Sequence, residues 1–262
     1  MGRATFSWAV CSDPGLRRSS NEDSYCTRPD LGLYIVADGM GGHVAGEVAS
    51  RVAVEAIQVF IQETTGADKN RTWPFPFEPA LSLEANRLKA AFRLANRRIA
   101  SAIADSSDLR GMATTASALL AGPEGACVAH VGDSRVYVLR GGRLEQITHD
   151  HSWVEEQVRA GAMSPTAARQ HPWRNVVTRA LSGGDDPEVD VAEIAPARFE
   201  RYLLCSDGLF SVVGDEQIAT ILRARDVPLD EVCRQLIETA NAAGGPDNIT
   251  ALVLEVPEGD AR

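Results

Sequence analysis

Residues 36–47 read Val36-Ala37-Asp38-Gly39-Met40-Gly41-Gly42-His43-Val44-Ala45-Gly46-Glu47. An apolar run at residues 31–37 leads into them and reads as a buried strand. From Val44 onward Val44, Val48, Val52, Ala56 and Phe60 fall four apart, the stripe of a helix. The stretch is therefore a strand-to-helix turn crowded with glycine. Such a turn raises two nucleotide readings, and both fail. Gly41 and Gly46 have the spacing of a phosphate-binding P-loop, but Glu47-Val48 stands where Lys and Ser/Thr are needed. A dinucleotide fingerprint would begin at Gly39 and Gly41, and its third glycine position holds Val44. What is left is an aspartate, Asp38, at the end of a strand.

Working outward, residues 63–79 (ETTGADKNRTWPFPFEP) break every periodicity and read as a loop. Its aromatic residues Trp73, Phe75 and Phe77 are expected to pack back onto the body. A second helix follows, with Leu88, Phe92, Ala95, Ile99 and Ile103 on one face. Short strand-like runs at 113–121, 125–131, 134–140 and 143–148 are punctuated by glycine and suggest a meander of hairpins. Residues 149–187 are mixed, with Ser164-Pro165 reading as an N-cap and first helical position. Strands at 188–194 and 201–205, a helix marked by Leu229, Val232, Leu236, Ile237 and Ala240, and a strand at 249–256 complete the chain. Regular βαβ alternation is missing, so the class is α+β with antiparallel sheets. One domain spanning 1–262 is expected.

The 262 residues give ample material for a core. Hydrophobic content of 44% and charge of 24% are those of an ordinary globular protein. A net charge of −10 argues against nucleic-acid or anionic-membrane binding. The cysteines at 11, 26, 127, 205 and 233 form no Cys-x-x-Cys pair, which suits buried thiols in a reducing compartment. No signal peptide is evident at the N-terminus, and no apolar run approaches the ~18 residues of a membrane span. A cytoplasmic monomer is the expectation.

The setting of Asp38 recurs. Asp207 follows the run at 202–206 and precedes Gly208; Asp133 sits in Val131-Gly132-Asp133-Ser134; Asp247 sits in Gly244-Gly245-Pro246-Asp247-Asn248. Asn21-Glu22-Asp23 precedes another strand-like piece. Singly, such aspartates usually bond their own backbone in a turn. Together, at strand ends gathered on one edge, they form the all-oxygen donor set that Mg²⁺ or Mn²⁺ requires.

The combination resembles the metal-dependent protein phosphatases of type 2C, in their bacterial branch. The resemblance rests on residues 18–23 (RSSNED), 36–47, 111–115 (GMATT), 131–135 (VGDSR), 203–209 (LLCSDGL) and 244–250 (GGPDNIT), in that order across nearly the whole chain. It implies a four-layer αββα sandwich of two antiparallel sheets flanked by helices. It implies two Mn²⁺ or Mg²⁺ ions, with Asp38 bridging them, the Gly39 carbonyl and Glu22 serving one ion, and Asp207 and Asp247 the other. Asp133 with Asp207 matches a third, weaker site. Arg18 would hold the substrate phosphate, Asn248 would bond metal-associated water, and Asp23 would support the site without binding metal. Residues 149–187 match the family's variable flap, which influences substrate choice. The implied reaction is hydrolysis of phosphoserine and phosphothreonine on proteins by a hydroxide shared between the ions, opposing a Ser/Thr kinase. One departure stands out: many eukaryotic members of the family place a histidine, in the role of general acid, directly after the Asp-Gly pair, and here that residue is Met40. His43 does not simply replace it, and His130, His149, His151 and His171 read as structural or as part of the variable segment.

Two rivals differ in class. Cys11 and Arg17 have the Cys, five residues, Arg spacing of a cysteine-dependent phosphatase, but Asp13 and Pro14 add repulsion and remove a donor, and no amphipathic helix follows. A scaffold that binds phosphoproteins without turnover is the other, and the carboxylates retained at every matched position do not favour it.

Overall fold

The computed structural model describes residues 5–41, 44–66, 72–123 and 125–257. Strand β3 (Leu33–Met40) shows why this chain builds layers. Leu33, Ile35 and Ala37 point to one side and join a core with the helices; Tyr34 and Val36 point to the other and join a core between sheets. Both faces are apolar, so both must be covered.

The other strands are β1 (Ser7–Asp13), β2 (Asp23–Arg28), β4 (Ala113–Thr114), β5 (Ala116–Ala121), β6 (Ala126–Val131), β7 (Arg135–Arg140), β8 (Arg143–Gln146), β9 (Asp190–Ile194), β10 (Arg201–Cys205) and β11 (Ile249–Glu255). One sheet has the order β1-β11-β10-β7-β8, the other β2-β3-β5-β6-β9 with β4 paired to β3. Every pairing is antiparallel. Between them lie Tyr34, Val36, Val128, Val138, Tyr202 and Leu252, among others. The helices are α1 (Val44–Glu63), α2 (Leu83–Asp105), α3 (Trp153–Arg159), α4 (Pro165–Gln170), α5 (Asp207–Phe210), α6 (Asp215–Arg223) and α7 (Leu229–Ala242). α1 and α2 cover the outside of the second sheet, α6 and α7 the outside of the first. This is the αββα sandwich that the resemblance implies.

Three expectations need correction. The ridge that α1 buries is Ala45, Ala49, Ala53 and Ile57, one position round from the stripe at Val48, Val52 and Ala56, which is only partly buried. The small ridge lets the helix approach the sheet closely. Residues 113–148 are not one meander: β5 and β6 lie in one sheet, β7 and β8 in the other, and the chain crosses between them at Gly132. Finally, Asp38 stands inside β3, which runs on to Met40. β1, α3, α5 and α6 have no counterpart among the elements expected from sequence.

The aromatic loop packs back as expected. Phe75 is buried under the Arg97 guanidinium, 4.3 Å from its ring centre, and Trp73 contacts Phe60 and Phe77. Residues 67–71 of that loop lie outside the described residues. Among the described residues no helix is long and apolar enough to cross a membrane.

Candidate active site

The antiparallel register of β2 and β3 sets Asp23 directly opposite Asp38. Like charges so placed repel. Burial and then Asp23 and Asp207 push the Asp38 carboxyl well above the usual range. Asp38 is held by its backbone: its N–H donates to Thr115 Oγ1 at 3.0 Å, and its carbonyl accepts from Thr115 N and Thr114 Oγ1. Asp23 is pushed up to about 7 by burial, although Ser206 Oγ (2.7 Å) and Thr250 Oγ1 (2.6 Å) both donate to its Oδ2. Its Oδ1 is buried without a partner.

Asp207 opens α5 straight after β10 and shares a hydrogen bond with Asp38. Burial, then Asp247, raises it to about 6, and its Oδ1 is also buried without a partner. Asp133, in the crossing between the sheets, is pushed up to about 8 by burial and then by Asp207. Its neighbour Ser134 hydrogen-bonds Thr115 Oγ1 at 2.6 Å, tying the Asp133 turn to the residue that holds Asp38. Thr115, Ser206 and Thr250 had no role assigned from sequence, although each lies within a matched stretch, 111–115, 203–209 or 244–250.

Asp247 accepts from Arg18 Nη2 at 2.6 Å. Arg18 is half exposed, so this pair is weak and exchangeable. The Asn248 amide is committed to the frame: Oδ1 accepts from Glu22 N, and Nδ2 donates to the carbonyls of Pro14 and Ser20. It thus staples the Arg18 loop to the Asp247 loop.

The glycines of the opening stretch are explained by proximity rather than by a phosphate. A Cβ on Gly39 would lie 2.1 Å from the Gly46 carbonyl oxygen, and one on Gly46 would lie 1.8 Å from Glu22 Oε2. The start of α1 presses onto β3, and the Glu22 carboxylate fits into the space that Gly46 leaves.

The structure thus brings Asp38, Asp133, Asp207 and Asp247 together with Asp23, Glu22 and Arg18 beside them. Among the described residues no three His, Cys, Asp or Glu side chains already stand as a closed ligand set. The donors still suit a hard divalent cation: all are oxygen, burial and neighbouring acids raise the carboxyls of Asp38, Asp133 and Asp207, and Asp207 keeps a buried oxygen unpaired. A cavity of about 440 Å³ adjoins them, lined by Asp133, Asp150, Arg169, Arg174, Asp207 and Phe210. Helices α3 and α4 contribute to its wall through Val154, Val158, Pro165 and Ala168.

Met40 pairs with Ala113 in the β3–β4 ladder. His43 lies outside the described residues. His130 and His151 are buried and stack 4.7 Å apart; His130 contacts Ser117 and the His149 carbonyl, His151 contacts Gly132 and Asp190. His171 packs on Trp153 and Trp173. Cys11 belongs to β1 and packs toward α7, and Asp13 Oδ1 takes the Gly15 N–H, so no phosphate loop runs from Cys11 to Arg17.

The family described as protein phosphatase 2C matches residues 17–252. The serine/threonine protein phosphatase PstP of Mycobacterium tuberculosis is 39% identical over 99% of this chain, which spans only 47% of that relative's length. The serine/threonine phosphatase stp of Listeria welshimeri is 36% identical over 93% of each chain. A crystal structure of the Mycobacterium tuberculosis phosphatase PstP/Ppp superposes with a TM-score of 0.83 at 38% identity, covering 97% of this chain and 99% of that one. A second, of the PstP catalytic domain in complex with two manganese ions, superposes with a TM-score of 0.77 at the same identity and coverage.

Proposed function

Since this chain belongs to the protein phosphatase 2C family, we propose that it hydrolyses phosphoserine and phosphothreonine on proteins, with two Mn²⁺ or Mg²⁺ ions held by its acidic cluster. The observation that carries the reading is the meeting of Asp38, Asp133, Asp207 and Asp247, drawn from four separate segments, around an unpaired buried oxygen of Asp207. Relatives named as serine/threonine phosphatases, and one solved with two manganese ions, support it.

In this reading Asp38, the Gly39 carbonyl, Glu22, Asp207 and Asp247 would hold the ions, and Asp133 with Asp207 would hold a third, more weakly. When bound, such ions neutralise the carboxylates, polarise a phosphoryl oxygen and make water more acidic. The residues of the chain do the rest. Arg18 leaves Asp247 and turns its planar fork to the phosphate oxygens, which it fits better than a lysine would. Thr115 N and Oγ1 and Thr114 Oγ1 fix the Asp38 backbone, so the carboxylate would receive the ions without reorganising. Ser206 and Thr250 hold Asp23 Oδ2 and keep that carboxyl in support. Asn248 maintains the distance between the Arg18 and Asp247 loops. The Met40 thioether carries no proton to give the leaving group, so the alcohol takes its proton from elsewhere than that position. In the cell the proposal makes the chain a cytoplasmic monomer that opposes a Ser/Thr kinase.

The test is release of phosphate from phospho-Ser, phospho-Thr and phospho-Tyr peptides with Mn²⁺, with Mg²⁺ and with EDTA. Turnover of the first two, abolished by EDTA and indifferent to thiol alkylation under reducing conditions, is expected. Turnover that survives EDTA would sink the metal reading.

A further inference from the structure

Cys11 and Cys233 lie outside the acidic cluster and have no part in the mechanism above. Ala9 and Cys11 share the face of β1 that packs on α7, and Cys233 is fully buried on α7 opposite them. The Cys233 thiol reaches the Ala9 carbonyl at 3.2 Å and the carbonyl of Ala251, the ladder partner of Cys11, at 3.6 Å, which sets its sulfur against the same face of β1 as the Cys11 side chain. Cys11 is only partly buried, so small solutes can meet it. Its thiol is lowered to about 7, first by the Cys233 hydrogen bond and also by Arg234. Burial pushes Cys26 up to about 11 and Cys127 up to about 12, and raises Cys205 too. A partly exposed thiolate beside a second thiol is the arrangement of a redox-sensitive pair.

The two elements that carry this pair also carry the phosphate end of the site. β1 runs into the Arg18 loop, and α7 runs into the Asp247 loop. Asn241 Nδ2 on α7 donates to Asp13 Oδ1 at the end of β1, Leu16 N donates to the Gly245 carbonyl, and Arg18 reaches Asp247. Among the described residues β1 is an edge strand, paired with β11 alone, and is the easier of the two to displace.

We propose that Cys11 and Cys233 form a reversible disulfide that lowers turnover by shifting β1 against α7 beneath the Arg18–Asp247 pair. The turnover part rests on the phosphatase reading; the cross-link does not. The oxidant is hydrogen peroxide. The Cys11 thiolate attacks a peroxide oxygen, an S–O bond forms, the O–O bond breaks and hydroxide leaves. The Cys233 sulfur then attacks the Cys11 sulfenic acid, an S–S bond forms and the S–O bond breaks. The departing hydroxide takes the Cys233 proton and leaves as water. Two thiols are oxidised by two electrons, and one peroxide is reduced to two waters. The disulfide sets its sulfurs about 2 Å apart, nearer than hydrogen-bonded thiols, so the two elements must move.

The full chain is treated with hydrogen peroxide, desalted, alkylated and mapped without reduction. Mn²⁺-supported turnover of p-nitrophenyl phosphate is measured before and after, and again after dithiothreitol. A peptide linking Cys11 to Cys233 is expected. Turnover should fall about tenfold, in line with the cost of misplacing a site by under ~1 Å, and return with reductant. Cys11→Ser and Cys233→Ala should keep basal turnover and lose this sensitivity, and Cys233→Ala should retain a trappable sulfenic acid on Cys11. Hydrogen exchange over residues 12–20 and 243–248 gives a readout without turnover, changing on oxidation in the unmodified chain and not in Cys11→Ser. Both thiols left free, a linked peptide with turnover and exchange unchanged, or equal inactivation of Cys11→Ser would overturn the proposal. No turnover in the reduced chain, with the cross-link and exchange change present, would instead count against the phosphatase reading.

Discussion

Asp23 on β2 and Asp38 on β3 face each other across one rung of an antiparallel ladder, and Asp38 also shares a hydrogen bond with Asp207. A ladder position that sets two acids opposite each other costs stability unless protons or cations intervene. The fold accepts that cost where the chemistry is.

Removing one acid should therefore separate stability from activity. Asp38→Asn is expected to raise the thermal midpoint of the EDTA-treated protein, since a like-charge contact is relieved. It should lower Mn²⁺-supported turnover about 10³-fold, or about 4 kcal/mol of barrier. Asp23→Asn should keep the bonds from Ser206 and Thr250 and lose much less turnover. Equal losses in the two variants would make Asp23 a direct participant.

The glycines of the 36–47 stretch offer a paired test. Gly39→Ala places a Cβ against backbone, the Gly46 carbonyl, and should destabilise the fold by about 1–3 kcal/mol in denaturant titration. Gly46→Ala meets chiefly the end of the Glu22 side chain and should displace that carboxylate. Weaker Mn²⁺ binding in calorimetry, with a smaller loss of stability than Gly39→Ala, is the expected outcome.

Arg18 is paired with Asp247 across a half-exposed surface. Arg18→Ala should raise KM for a phosphopeptide and cut kcat/KM about 10²-fold, or about 3 kcal/mol, with the fold intact. Arg18→Lys should recover only part, since an ammonium cannot grip two oxygens at once. A variant with wild-type kcat/KM would remove Arg18 from substrate binding.

The carboxyls of Asp23, Asp133 and Asp207 are raised to about 7, about 8 and about 6. Unfolded, each titrates near 4. Raised groups contribute stability that is present below the unfolded value and lost as pH rises through the folded ones. The EDTA-treated protein should thus lose stability between about pH 4 and pH 8. His130, lowered to about 4 by burial, and His151, lowered by burial too, act in the opposite sense below about pH 6.5, and these two do not offset Asp23, Asp133 and Asp207 together with Asp38, which is raised as well. Denaturation midpoints with Mn²⁺ should exceed those with EDTA by more at pH 8 than at pH 5.5. A gap independent of pH would contradict the assignment.

Much was legible along the chain. The α+β class, the helices at α2 and α7, and the acids beside glycine could be read because periodicity and turn chemistry are local. The stripe on α1 was read one position off, because a ridge of alanines carries less hydrophobic contrast than the valines beside it. The crossing at Gly132 was invisible, since β6 and β7 look alike whichever sheet they join. The opposition of Asp23 and Asp38, the Asn248 staple and the Cys11–Cys233 contact were invisible for the same reason. Sequence by itself determined which residue types stand at which strand ends, and through them the chemistry on offer. Tertiary structure alone decided which of them meet, because register and sheet order join residues such as Asp23 and Thr250 that are 227 positions apart, and no local pattern encodes a contact at that range.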